Sequence, residues 1–173
     1  MKKMRFYDEA VNRFMADKRF STYPIGSIEF FAERFNIING NLFDTQHLKV
    51  LADKENWRDN YPFQDEIMDK EHVVVVTDKH LNIVYATQNM RLMNGYRPEE
   101  VIGKTPKLFQ GRDTCQKTTQ RVAEAIKGLL PFEEILTNYR KDGTSYQCWI
   151  KGSPVFDKQG NVVNFIAFEK QVA

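Results

Sequence analysis

Residues 132–168 read FEEILTNYRKDGTSYQCWIKGSPVFDKQGNVVNFIAF, and the reading of this stretch decides the fold. Two runs of strand-type residues, Phe132 to Tyr139 and Tyr146 to Ile150, flank Asp142-Gly143, a pair suited to the positive φ angles of a tight hairpin turn. A second turn at Lys158-Gln159-Gly160 leads into a third run, Val162 to Phe168. The chain therefore closes on an antiparallel meander. Alternation along the middle strand places Tyr146, Cys148 and Ile150 on one face and Gln147, Trp149 and Lys151 on the other.

Upstream, Val73 to Thr77 and Asn82 to Ala86 form a strand pair around the turn Asp78-Lys79-His80. Short helices follow at Gln88 to Met93 and at Pro98-Glu99-Glu100, where proline suits a first helical turn and acids suit a helix N-terminus. A longer helix from Thr114 to Lys127 ends at Gly128. The first seventy residues read as helical. Val11, Phe14 and Met15 lie at helical spacing; Ser27 is the N-cap of a second helix carrying Ile28, Phe31, Ala32 and Phe35, which Asn39-Gly40 stops; a third begins near Asp44 and carries His47, Leu48 and Leu51. A boundary near Pro62 divides a helical N-terminal extension, residues 1–62, from an α+β domain, residues 63–173.

The 173 residues carry a net charge of +2 with no block of like charges, so composition does not point to a polyanion or to nucleic acid. Cys115 and Cys148 show neither CxxC nor metal-ligand spacing and read as reduced thiols of a cytoplasmic protein without a secretory leader. No apolar run approaches the ~20 residues of a membrane span. Catalysis finds no support either. No Ser/His/Asp, paired-carboxylate or phosphate-loop pattern occurs at workable spacing, Asp113, Glu133 and Glu134 read as solvated charges, and a non-enzyme is expected.

Asn94-Gly95-Tyr96 and Pro98-Glu99-Glu100-Val101-Ile102-Gly103-Lys104 resemble the mid-domain signature of PAS sensor domains. Within that family, GKTPKLFQ at 103–110 followed by Gly111, NYRKDGT at 138–144, and then Pro154-Val155, Asp157, Gly160 and Phe165-Ile166 resemble the light-oxygen-voltage (LOV) branch in order. The resemblance covers residues 70–173. It implies a PAS fold, a five-stranded antiparallel sheet with short helices forming a pocket.

The same resemblance marks departures. Photoactive LOV domains are similar to GRNCRFLQ at this site, with the cysteine adding to flavin under blue light, and here that position is Pro106. The flanking arginine aligns with Lys107, an asparagine with Thr105, a second ring-contacting asparagine with Cys148, the signalling glutamine with Glu169, and the phosphate-holding arginine with Ala123. Gln110 and Asn138 match. Gln110, Asn138, Cys148 and Glu169 are therefore the candidate pocket residues. Each unpartnered polar group of a buried ligand costs on the order of 1 to 3 kcal/mol, so no cofactor is expected; flavin mononucleotide (FMN) would lose several partners at once. A flavin-binding redox sensor without adduct chemistry is the alternative. Haem is not expected, because the helix from Thr114 to Lys127 holds no histidine, and His47, His72 and His80 fall where exposed histidines are routine. Glu169 shares its phase with Phe165 and Ala167, which leaves two readings open: an inward acid facing a ligand or a hydrogen bond with Asn138, or a solvated acid at a frayed strand end.

On the opposite face, Ile135, Tyr139, Trp149, Ile166 and Phe168 would leave an apolar patch in water. With nothing after Ala173, the segment from Phe6 to Leu51 is expected to cover it, within one chain or exchanged in a homodimer. The whole reads as a stand-alone sensory module that works through a small-molecule ligand or a partner, without photoadduct chemistry, and passes its signal to a separate output protein. The competing reading takes Ser27 to Ile38 and Asp44 to Asp53 as a helix-turn-helix of a DNA-associated regulator. Its second helix offers few cations for phosphate, and nucleic acid is not expected as a partner.

Overall fold

The structure is a computed structural model that describes residues 26–172. The chain divides into two compact units, residues 1–34 and 35–173. The segment with Val11, Phe14 and Met15 lies outside the described residues, and the packing below is that of the second unit.

A long helix, α1, runs Gly26–Lys54, followed by a π-helical turn at Asp65–Asp69. Strands β1 (Val73–Asp78) and β2 (Ile83–Ala86) precede the short helices α2 (Met90–Asn94) and α3 (Pro98–Val101) and a 3-10 turn at Pro106–Phe109. Helix α4 (Gln116–Lys127) leads into β3 (Phe132–Tyr139), β4 (Ser145–Phe156) and β5 (Val162–Val172). The five strands form one antiparallel sheet in the order β2-β1-β5-β4-β3. The sequence predicts all five.

Side-chain carboxylates shape the turns. Asp142 Oδ1 accepts from the Thr144 backbone N–H and hydroxyl at 2.9 and 2.7 Å, and Asp157 and Asp78 bind the backbone two and four residues on in the same way. At the β3–β4 hairpin only Gly143 has a positive φ, 87°, so the aspartate contributes its hydrogen bonds rather than the left-handed conformation expected of the pair. The last two strands outrun their sequence signals. Pro154 sits past Gly152, the last residue paired with β3, where β4 has only β5 beside it and a missing N–H is tolerated.

Asn39-Gly40 does not stop the first helix. A glycine in a helix interior costs about 1 kcal/mol, and tertiary contacts just beyond it outweigh that. Asp44 is fully buried, accepting from Tyr85 Oη at 2.7 Å and from the Gln88 N–H at 2.6 Å, and Leu48 is fully buried one turn on. The turn demanded by the helix-turn-helix reading is therefore absent, and Asp44, read as a charge on the DNA-reading helix, anchors the helix to β2 instead. Burial pushes its carboxyl above the usual range.

Two apolar layers flank the sheet. One contains Val73, Val75, Leu136, Tyr146, Cys148 and Ile150 against α2, α3 and Phe109; the other contains Val74, Val76, Val155, Ile166 and Phe168 against Leu48, Trp57, Phe63 and Ile67. The expected cover is thus present within one chain: among the described residues it is made by Leu48 and Leu51, which lie in the segment expected to supply it, and by Trp57, Phe63 and Ile67, which lie beyond that segment. Packing runs across the boundary drawn at residue 62. Trp57 Nε1 donates to Asn164 Oδ1 at 2.9 Å, and the Arg58 N–H donates to the Phe156 carbonyl at 2.8 Å beside a Trp57–Asp157 bridge. The cover is partial: Ile135, on the outer face of β3, stays 52% exposed. His72, expected at an exposed strand edge, is buried, with Nδ1 2.6 Å from Glu66 Oε2 and its ring 5.1 Å from that of Trp149.

Candidate functional site

A cavity of about 740 Å³ lies between the sheet, the 3-10 turn and α4. Strand alternation builds its floor. Val75 and Thr77 of β1, Leu136 and Asn138 of β3, Ile150 of β4, and Phe165, Ala167 and Glu169 of β5 line it. Val122, Ala123 and Ile126, three and four residues apart on α4, form the facing wall. Thr105, Pro106, Lys107, Phe109 and Gln110 close the side formed by the 3-10 turn, with His80 and Leu81 from the β1–β2 turn beside them. At one end the Phe132 ring lies over Gly152, where an added Cβ would overlap a ring carbon. Any side chain at 152 would displace that ring.

Three of the four candidate residues line this space. Asn138 and Glu169 are buried on the floor at 3% and 4% exposure, and Gln110 stands exposed at the mouth. Cys148 does not line it. Its side chain is fully buried in the core layer beneath, and its Sγ approaches Glu169 Oε2 at 3.9 Å. The inward acid therefore meets a thiol rather than Asn138, and a bulky residue at 148 would disrupt the core instead of filling the cavity.

The electrostatics of the floor follow from its dryness. Burial lifts Glu169 to about 7, opposed only by its contact with Cys148, so near neutrality the acid is divided between its neutral and ionised forms. Burial also raises the Cys148 thiol and the Tyr146 hydroxyl well above their ordinary values. An inert thiol results, in keeping with a small core hydrophobe. Thr77 was not singled out from the sequence, although it follows Val73 and Val75 in inward phase; its Oγ1 is buried without a hydrogen-bond partner.

The acids read as solvated are exposed or near the surface but engaged. Glu134 holds Arg121 through two contacts of 2.7 and 2.8 Å, Glu133 accepts from Trp149 Nε1 at 2.9 Å, and Asp113 accepts from Tyr139 Oη at 2.7 Å. Among the described residues no group of three His, Cys, Asp or Glu side chains is placed to hold a metal ion, and no helix is long and apolar enough to cross a membrane.

A family model described as a PAS domain matches residues 70–171. Protein TWIN LOV 1 of Arabidopsis thaliana is 35% identical over 106 residues, 59% of this chain and 27% of that protein. Phototropin-2 of Oryza sativa subsp. japonica is 31% identical over 113 residues, 64% of this chain and 12% of that protein. A blue-light photoreceptor of Listeria monocytogenes is 29% identical over 102 residues, 57% of this chain and 40% of that protein. The chain thus matches only 12% to 40% of the length of these relatives. Among solved structures, one reported as "Flavin Analogue Sheds Light on Light-Oxygen-Voltage Domain Mechanism" superposes with a TM-score of 0.61 at 27% identity, covering 66% of this chain and 87% of that one. The light-state structure of the blue-light photoreceptor Aureochrome1 LOV gives 0.56 at 28% identity, covering 58% and 81%.

Proposed function

Since the chain belongs to the PAS domain family, we propose that it is a LOV-type sensory domain that has exchanged light-driven adduct formation for reversible occupancy of its cavity by a small molecule. One observation carries this reading: Pro106, which has no nucleophile, lines a cavity of about 740 Å³, a volume typical of ligand sites. The departure at Ala123 points the same way, because this residue lines the space and, unlike the arginine it aligns with, cannot supply a cation for a phosphate.

The route outward runs through β5. Glu169 faces the cavity while its neighbour Phe168 faces the cover, where Tyr61 stands 6.3 Å away ring to ring. Asn164 on the same strand accepts from Trp57 and donates to the Thr77 carbonyl at 3.1 Å, linking the cover to a cavity residue. Occupancy biases the sheet against its cover only by the difference in ligand affinity between two arrangements, and a separate protein reads the result. The chain carries no chemistry of its own in this scheme.

Absorption spectra before and after blue light, with a denaturing mass spectrum of what copurifies, test it. No flavin band that bleaches in the light and recovers in the dark is expected. Such a photocycle would overturn the proposal. Pro106→Cys alone is expected to leave the protein dark, since Lys107, Cys148 and Ala123 also depart from the flavin pattern.

A further inference from the structure

The cavity has a chemical bias of its own. Its walls are mostly aliphatic and aromatic, and its buried polar groups converge on one floor from three strands, Thr77 on β1, Asn138 on β3 and Glu169 on β5, each at most 5% exposed. Thr77 Oγ1 has no partner, and Glu169 has only a thiol at 3.9 Å, a weak hydrogen-bonding group. A buried polar atom left so costs stability, which a ligand able to pair with it would recover. The ionisable groups around the space are few. Cys148 and Tyr146 of β4 lie behind Glu169, His80 and Lys107 stand at the rim, and among the described residues no arginine lines the cavity. An anion entering to the floor would meet a carboxyl and find no buried cation.

We propose, resting on the reading that the cavity takes a small molecule, that its ligand is an uncharged, mainly apolar ring compound that carries no phosphate or carboxylate and presents a carbonyl oxygen or ring nitrogen to Glu169. Only the neutral acid has an O–H to donate to such an acceptor. Binding therefore takes up one proton from solvent whenever Glu169 starts ionised. No covalent bond forms or breaks. With the buried acid near 7, the competent neutral fraction falls about tenfold between pH 6 and pH 8, and the apparent affinity falls with it.

The test uses two fluorescent probes on the full chain, Nile red, a neutral ring compound with carbonyl and ring-nitrogen acceptors, and 8-anilinonaphthalene-1-sulfonate, an anion. Nile red is expected to bind one to one and about tenfold more tightly at pH 6 than at pH 8. Glu169→Gln keeps a neutral donor and is expected to bind equally well at both values. The sulfonate is expected to bind more weakly than Nile red throughout. Ala123→Trp, on the cavity wall, is expected to abolish the signal in a protein whose circular dichroism is unchanged. Cavity binding that ignores pH in the parent protein, a pH dependence that survives Glu169→Gln, or tighter binding of the sulfonate overturns this inference and leaves the cavity reading standing. Binding of neither probe, or a signal that survives Ala123→Trp, overturns both.

Discussion

Glu169→Gln is expected to stabilise the protein at pH 8 by about 3 kcal/mol, and to do so hardly at all at pH 4. Burial holds the folded-state value of this acid near 7 against an ordinary value of 4.5, and each unit of difference is worth about 1.4 kcal/mol. Between those values the folded chain binds more protons than the unfolded one, so the contribution of Glu169 to stability declines as pH rises through the window. Below it both states hold a neutral acid and the penalty vanishes; above it a carboxylate sits in the core with a thiol for company. Glutamine is never charged. The gain should therefore appear as a rise in melting temperature on the order of 10 °C at pH 8 that shrinks as the buffer is acidified. Paired melts of both proteins across this range measure it, and a gain of equal size at pH 4 and pH 8 would show that glutamine merely packs better. Turn carboxylates such as Asp78, Asp142 and Asp157, held below their usual range by turn hydrogen bonds, act in the opposite direction but cancel in the comparison.

Trp57→Ala is expected to cost about 3–5 kcal/mol, a large part of the ~5–15 kcal/mol that holds a domain of this kind together. Trp57 is 5% exposed, packs edge-on against Tyr61 at 5.6 Å, and donates the hydrogen bond that orients Asn164. Removing it leaves a cavity over β5 and an unpaired carbonyl oxygen on a buried amide. Trp57→Phe, which keeps most of the apolar bulk, should lose only about 1–2 kcal/mol. Urea denaturation of the three proteins gives the ranking. A loss under about 1 kcal/mol for the alanine variant would mean that the cover rides on the sheet without supporting it. Deleting residues 1–60 removes Leu48 and Trp57 together and is expected to give an aggregating or unfolded domain, by size-exclusion chromatography and thermal melt.

Much of this architecture was legible because local and tertiary signals agree. Phe132 to Tyr139 alternates, is bounded by turns, and pairs across Asp142-Gly143 in the register the alternation demands. The resemblance named Asn138 and Glu169 as pocket residues, and alternation allowed Glu169 an inward position; both line the cavity floor. Where the reading went astray, a distant contact overrides a local cue. Asn39-Gly40 is a sound stop signal, and the fit of Asp44 to Tyr85 and Gln88, more than forty residues on, together with the burial of Leu48, carries the helix through it. The stretch around Trp57 has no strand or helix period, so its role as the centre of the cover was invisible; it is placed by an amide on β5. Cys148 shows the limit of alternation itself. Phase puts a side chain on the correct face, but a sheet face has depth, and whether a residue borders the void or lies beneath it depends on the neighbours above.

The central pairing of β1 with β5 sets an order of events during synthesis. Val73 lies opposite Glu169, so β1, an interior strand of the sheet, leaves the ribosome long before the central strand β5 that it pairs with. At about 5–20 residues per second the wait is on the order of 5–20 s, during which Val73-Val74-Val75-Val76 has only β2 beside it. The cover waits too, since Trp57 needs Asn164 and Asp157. A run of four valines with an unpaired edge is a template for intermolecular strands, and nascent chains crowded on one message present it in parallel. Low expression temperature or a chaperone that shields extended apolar segments should improve the soluble yield of this protein more than that of a helical protein of equal length and stability, whose contacts form as each helix emerges.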